Sequence, residues 1–407
     1  MMRCGLLGEH LGHSYSPRIH ALLGDYSYDL FEVPPERLEA FLKSDAFDGL
    51  NVTIPYKKAV IPFCAALSDT AQRIGSVNTL VRRPDGTLFG DNTDFDGFSR
   101  MLARAGGIRT GEKALVFGTG GAGATVQSVL RACGAEVVTF SRHGETTYDA
   151  LPLHKDAVLA VNATPVGMYP ENGRQAADLS VLPNLRCVLD LIYNPARTAL
   201  LMQAEERGIG TENGLSMLVA QAKRAAELFT GEHIRDSRCD EILCKLAAEM
   251  QNIILLGMPG CGKSTVGKRI AERLSRPFYD ADAQIEAAVG CDIPTFFARY
   301  GEDAFRKAET DVLSRLGKLS GCVIATGGGC VTRPENYPLL HQNGILIRLE
   351  RDLSLLPVNR RPISQSTDLE TLYARRDPLY ARFCDHTVCN SGDVQATVEA
   401  IVTLISG

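Results

Sequence analysis

Residues Gly257-Met258-Pro259-Gly260-Cys261-Gly262-Lys263-Ser264 fit the spacing G-x-x-x-x-G-K-[ST] in full, directly after the apolar run Ile253-Ile254-Leu255-Leu256. No other feature restricts the fold as much. A buried strand must end where the glycines turn, and a helix marked by Val266, Ile270 and Leu274 must begin at once. The backbone N–H groups of such a loop converge on phosphates. Its lysine, Lys263, reaches the outer phosphates and its hydroxyl, Ser264, a Mg2+ ion. A second glycine-rich turn, Gly118-Thr119-Gly120-Gly121-Ala122-Gly123, follows Ala114-Leu115-Val116-Phe117. A helical stretch from Ala122 to Cys133 and a strand Glu136–Phe140 come next. Glycines 118, 120 and 123 match G-x-G-x-x-G in its strand–turn–helix setting, which brings backbone N–H groups to a pyrophosphate. Both units demand parallel strands connected by helices, so the fold class is α/β.

At 407 residues the chain exceeds one ordinary core, and two or three domains are expected. The helical region from about Ser216 to Met250 separates the two nucleotide signals, which sets domains at 1–249 and 250–407. Within the first, residues 1–97 and 214–249 form one lobe and 98–213 the other, leaving a cleft for a small ligand. A net charge of −5 excludes a broad basic footprint for nucleic acid. No apolar run approaches the roughly 18 residues of a membrane span. The start Met1-Met2-Arg3-Cys4 lacks an export signal, and the twelve cysteines show no Cys-x-x-Cys pair. Reduced thiols in a cytoplasmic enzyme of small anionic molecules are therefore expected, with no nucleic acid, membrane or protein partner implied.

The strand after the first glycine turn ends in Ser141-Arg142-His143, where an NAD site usually carries an acid. A guanidinium there can pair with the 2′-phosphate of NADP. Further toward the N-terminus, Ser14 and Ser16 place two hydroxyls before a helix. Asn51-Val52-Thr53-Ile54-Pro55-Tyr56-Lys57 adds an amide, a hydroxyl and an amine, and Asn78 and Asp94 follow. Taken singly these residues read as turn chemistry and helix caps. Together they suit a polyhydroxylated carboxylic acid.

In this order the motifs closely resemble the shikimate dehydrogenase family over residues 1–248: His13-Ser14-Tyr15-Ser16-Pro17, Asn51–Lys57, Val77-Asn78-Thr79, Gly90–Asp94, Asn162–Met168, Asp190–Pro195 and Asn213–Ala222. The resemblance implies that Ser14, Ser16, Thr53, Asn78, Tyr193 and Gln221 hold shikimate, the two serines at its carboxylate. Lys57 and Asp94 would flank the C3 oxygen, with Asp94 either orienting Lys57 or joining a proton relay. NADP would contact Gly118, Gly120, Gly121, Ala122, Gly123, Ser141, Arg142, Thr164 and Gly214. Ser141 stands where many NADP-using members carry Asn, and a quinate-type, NAD-dependent branch is the alternative.

The C-terminal part resembles shikimate kinase over about 250–407. Its features are the phosphate loop, Phe278–Asp282, Gly301–Glu309, Ala325–Cys330, Arg360-Arg361-Pro362 and Arg375–Tyr380. Asp280 and Asp282 are expected on one face at the end of a strand, and Arg306 and Glu309 as helical neighbours. The resemblance implies ATP on Gly260, Cys261, Gly262, Lys263, Ser264, Thr265 and Arg361, and Mg2+ at Ser264 and Asp280, directly or through water. Asp282, acting as base or orienting group, would hold the acceptor with Arg306, Gly328 and Arg376. Arg361, in a lid spanning 351–371, would reach the transferring phosphoryl group. Cys261 either gains reactivity from the helix N-terminus or is a small residue that fits. The expectation is a bifunctional enzyme that reduces 3-dehydroshikimate with NADPH and then phosphorylates the shikimate 3-hydroxyl with Mg-ATP.

Overall fold

The computed structural model describes residues 1–12, 14–356 and 369–406. Two compact units are present, one of Met1–Tyr193 with Thr198–Lys245 and one of Asn194–Arg197 with Leu246–Gly407.

The first unit holds two sheets. Strands β1 (Arg3–Gly8), β2 (Ser27–Glu32), β3 (Gly49–Val52), β4 (Cys64–Leu67), β5 (Thr79–Arg82) and β6 (Leu88–Asp91) form a six-stranded sheet in the order β2-β1-β3-β5-β6-β4. It is mixed, because β5 runs antiparallel to both β3 and β6. The connection between β5 and β6 is too short for a crossover and turns at Gly86 with φ +83°. Strands β7 (Lys113–Phe117), β8 (Glu136–Phe140), β9 (Leu159–Asn162), β10 (Cys187–Asp190) and β11 (Gly210–Asn213) form a parallel sheet ordered β11-β10-β9-β7-β8. Ala114–Phe117 are 0% exposed. Ala114 and Val116 pack on one side with Phe98, Val126 and Met217; Leu115 and Phe117 pack on the other with Phe140, Leu179 and Leu200. This two-sided burial is why the strand reads as an unbroken apolar run. The strand order reverses between β7 and β9, and the glycine turn after β7 opens into that crevice.

The helical region expected over 216–250 is two helices, Leu215–Thr230 and Asp236–Met250. Gly231, at φ +73°, ends the first, and its N–H bonds the Glu227 carbonyl at 2.9 Å. The helix Leu215–Thr230 returns to the first sheet, where Ala225, Ala226 and Phe229 pack with Cys4 and Tyr26. It also crosses the helix Asp94–Arg104 closely: a Cβ on Gly97 would lie 2.8 Å from the Met217 carbonyl oxygen.

The second unit has one parallel sheet of β12 (Asn252–Leu256), β13 (Phe278–Asp280), β14 (Val323–Ala325), β15 (Gly344–Glu350) and β16 (His386–Cys389), ordered β13-β14-β12-β15-β16. The central strand β12 is buried throughout and ends at the Gly257–Gly262 loop. Among the described residues no helix is long and apolar enough to cross a membrane, and all twelve cysteines are free.

Candidate active sites

In the first unit, Lys57 lies in the turns after β3, and its carbonyl accepts the Val77 N–H at 2.8 Å. The buried Tyr56 pins the same turn by donating its hydroxyl to the Val33 carbonyl at 2.5 Å. Asp94 is the first residue of the helix Asp94–Arg104. Thr93, just before it, is 0% exposed and gives its N–H to Asn78 Oδ1 at 2.7 Å. These anchors bring Lys57 Nζ to 2.6 Å from Asp94 Oδ2, with the two side chains 26% and 14% exposed. Asn78 Oδ1 also accepts from the Thr79 and Thr93 hydroxyls, so the amide Nδ2 is what this residue can offer a ligand. The Ser16 N–H donates to Ser14 Oγ at 3.2 Å. Tyr15, between the serines, meets the Tyr193 ring edge-on at 6.0 Å, and burial raises the Tyr193 phenol above its ordinary pKa. Thr53 joins the sheet edge through its N–H to the Leu7 carbonyl at 2.9 Å. Gln221 sits on the helix that crosses Gly97 and donates to the Leu218 carbonyl at 2.8 Å.

The glycines after β7 fall into two kinds. Gly118, at φ +108°, has the Thr164 methyl 2.9 Å from where a Cβ would be, and a Cβ on Gly123 would collide with the Gly118 carbonyl. Around Gly120 and Gly121, by contrast, the space is open. The helix Gly121–Ala132 starts there with no side-chain cap, so its first N–H groups can meet an anion. Thr164 is fixed by N–H and hydroxyl bonds to Asn162 Oδ1 at 3.1 and 2.7 Å. Asn162 in turn donates to Asp190 Oδ1 at 3.0 Å. Asp190 is fully buried, also accepts from Thr198 and Ile192, and burial pushes its carboxyl up to about 6. Gly214 caps the helix Leu215–Thr230 at a point where a Cβ would strike the Leu191 carbonyl. Ser141 bonds the Thr146 carbonyl through its N–H at 3.1 Å, and Arg142 is exposed beside it.

In the second unit, Lys263 opens the helix Lys263–Leu274 and is buried, its Nζ donating to the Gly257 and Met258 carbonyls at 2.8 and 3.0 Å. Gly257, Gly260 and Gly262 all have positive φ. Cys261 is buried, and its carbonyl accepts Asn390 Nδ2 at 2.7 Å. Ser264 Oγ donates to Asp280 Oδ2 at 2.5 Å, a hydroxyl and a carboxylate side by side as a hard divalent cation requires. Asp280 and Asp282 do not share a strand face. The Asp280 carboxylate accepts the Asp282 N–H at 3.1 Å and starts the helix Ala281–Val289, which carries Asp282. Arg306 NH1 bonds Glu309 Oε2 at 2.7 Å. Burial opposes the charge on Arg306, but Glu309 and Glu302 outweigh it and raise the guanidinium pKa; burial likewise raises the carboxyl of Glu309. Arg376 NH1 and the Tyr380 hydroxyl both donate to the Gly328 carbonyl, at 3.0 and 2.5 Å. A Cβ on Gly327 would lie 2.6 Å from Glu309 Oε1 and 2.8 Å from Asp282 Oδ1, and one on Gly328 would lie 2.7 Å from Pro259 of the phosphate loop. The residues expected to hold the acceptor and the phosphates therefore converge at this turn. Arg306 Nε, Arg376 Nε and Glu309 Oε1 are buried without hydrogen-bond partners. Arg361 and most of the expected 351–371 lid lie outside the described residues.

A shikimate dehydrogenase (NADP(+)) of Thermus thermophilus is 41% identical over 249 residues, 57% of this chain and 93% of the relative. The chain belongs to the shikimate dehydrogenase family. Residues 6–80 match the shikimate dehydrogenase substrate binding domain, and residues 259–406 match shikimate kinase. The chain is thus a fusion of the two families. A chorismate mutase/shikimate 5-dehydrogenase fusion protein from Clostridium acetobutylicum superposes with a TM-score of 0.58 at 37% identity, over 60% of this chain and 96% of that one. A shikimate 5-dehydrogenase from Thermus thermophilus, solved in complex with NADP(H) and shikimate, gives 0.55 at 35% identity, over 60% and 99%.

Sequence reasoning on this fusion missed Asn390, which reaches Cys261 from 129 residues away. It also missed Asp190 with its partner Thr198, and Tyr380, which stands in the Arg375–Tyr380 segment without a role. The i,i+4 spacing of Arg376 and Tyr380 was the available signal for the last.

Proposed function

We propose that the dehydrogenase part reduces 3-dehydroshikimate to shikimate with NADPH and that the kinase part phosphorylates the shikimate 3-hydroxyl with Mg-ATP. The observation that carries this reading is the half-buried Lys57–Asp94 pair, 2.6 Å apart. NADPH supplies the hydride for C3, and ATP the phosphoryl group. Lys57, as an ammonium, stabilises the oxyanion growing on the C3 oxygen and holds the proton that neutralises it. Asp94 holds Lys57 aimed at that oxygen. Ser14 and Ser16 take the carboxylate, and Thr53, Asn78, Tyr193 and Gln221 the rest of the acid. Gly118, Gly120, Gly121, Ala122, Gly123, Thr164 and Gly214 form the cofactor cradle. Its open positions at Gly120 and Gly121 fit a pyrophosphate, and Ser141 and Arg142 fit the 2′-phosphate.

In the kinase part, Arg306 and Arg376 grip the acceptor carboxylate, and their unpartnered Nε atoms support that role. Asp282 orients the hydroxyl or takes its proton, beside Gly328. Gly260, Cys261, Gly262, Lys263, Ser264 and Thr265 hold the phosphates, and Ser264 with Asp280 suits Mg2+. The test is a pair of single variants. Lys57→Ala lowers the dehydrogenase kcat about 100- to 10,000-fold and leaves shikimate-dependent ATP consumption intact. Lys263→Ala does the reverse, with a kinase loss of about 100-fold or more. Either variant that spares its own activity contradicts the assignment.

A further inference from the structure

Beneath the Lys57–Asp94 site a hydrogen-bonded run of side chains crosses the first sheet, and three of its members have no role above. Tyr28 stands on β2. The Tyr28 hydroxyl donates to Asn51 Oδ1 on β3 at 2.7 Å. Asn51 Nδ2 donates to Thr79 Oγ1 at 3.3 Å, on the β5 residue that pairs with Asn51 in the ladder. Thr79 Oγ1 donates to Asn78 Oδ1 and also lies 3.1 Å from Thr93 Oγ1. Thr93 immediately precedes Asp94. An unbroken chain of hydrogen-bonded side chains therefore links Tyr28 on β2 to Asn78 and Thr93, the residues that flank Asp94 and the expected reacting oxygen.

Tyr28 is itself locked. Its ring stacks on His20 with centroids 3.9 Å apart and planes 10° from parallel, and His20 Nδ1 lies 2.6 Å from the Tyr26 hydroxyl. His20 is fully buried, and burial pushes its pKa down to about 3, so this support stays uncharged across the working pH range. His20 Nε2 is buried without a partner, but the run from Tyr28 through Asn51 and Thr79 to Asn78 is hydrogen-bonded at every step, and such a buried run is stiff. A reaction that needs a ketone held against Lys57 is sensitive to displacements of about 1 Å.

We propose that Tyr28 and Thr79 are positioning residues of the dehydrogenase: through Asn51 they fix Asn78 and Thr93, and with them the reacting end of the pocket beside Asp94. The inference rests on the reaction proposed above. It is tested in the full-length chain with Tyr28→Phe, Thr79→Val and Thr79→Ser. Steady-state kinetics with 3-dehydroshikimate and NADPH, kinase rates and thermal melting are measured for each. Tyr28→Phe is expected to raise KM for 3-dehydroshikimate about five- to tenfold, since the hydrogen bond that holds Asn51 is lost. Thr79→Val is expected to lower kcat about tenfold, with Thr79→Ser restoring it to within about twofold. KM for NADPH, the kinase rate and the folded fraction stay at wild-type values. Phe and Val variants with wild-type kinetics overturn the inference. So do losses that Ser does not restore, or losses that merely follow the folded fraction. A wild-type chain inert toward 3-dehydroshikimate takes down the proposed reaction and this inference together; an active wild type with indifferent variants takes down this inference alone.

Discussion

Asp190 carries a carboxylate in a place with no access to water. Its native pKa is pushed from 3.8 to about 6 by burial, against the pull of Thr198, Ile192 and Asn162. Because the folded value exceeds the unfolded one, the contribution is fully present below the unfolded value and is lost as pH rises through the folded one. Two units of pKa correspond to roughly 3 kcal/mol. Replacing Asp190 with Asn keeps the shape and removes the titration. The difference in Tm between Asp190→Asn and wild type should therefore grow in the variant's favour from about pH 4 to about pH 7. A difference that stays constant over this range contradicts the origin given for the shift. Arg142 makes the opposite kind of contribution, from the surface. If it pairs with the 2′-phosphate, Arg142→Ala raises KM for NADPH about 10- to 100-fold and leaves NADH use unchanged. Equal losses with both cofactors would show that Arg142 does not discriminate. Lys57, Lys263 and Arg142 could be singled out because one short motif carries each of them. Asp190 could not, because the partner that ties it to Thr164, Asn162, lies 28 residues away on a neighbouring strand.

At the scale of elements, the two strand–loop–helix units were readable because everything that makes them is local. The apolar run, the glycines and the following helix lie within about twenty residues. The glycines nevertheless divide into structural and ligand-facing ones only in three dimensions. Gly123→Ala would force a methyl against the Gly118 carbonyl and should destabilise the dehydrogenase part by about 1–3 kcal/mol, lowering its Tm. Gly121→Ala meets open space in a helical first turn. It should leave Tm unchanged or raise it by an amount equivalent to about 0.4–1 kcal/mol. The same methyl stands where the pyrophosphate of the proposed cofactor site would approach, so KM for NADPH should rise in Gly121→Ala. Thermal melting and cofactor titration of both variants check this split. The break between Leu215–Thr230 and Asp236–Met250 was signalled by Thr230-Gly231, a helix followed by a left-handed glycine, but apolar periodicity on both sides masked it. The hairpin that makes the first sheet mixed, and the helix start at Asp280 that separates it from Asp282, depend on hydrogen bonds that periodicity does not encode.

At the scale of the whole molecule, the fusion joins two units with separate cores and separate phosphate-binding turns. The product proposed for the first is the acceptor proposed for the second, and both reactions fall on one oxygen of one ring. What decides the order is chemistry: the 3-hydroxyl cannot be phosphorylated until the C3 ketone has been reduced. The account is tested most directly by incubating the purified full-length protein with 3-dehydroshikimate, NADPH, ATP and Mg2+ and identifying the products by NMR over time. Shikimate appearing first and shikimate 3-phosphate accumulating after it is the predicted result. Shikimate that never becomes phosphorylated, or 3-dehydroshikimate left unchanged, would contradict it.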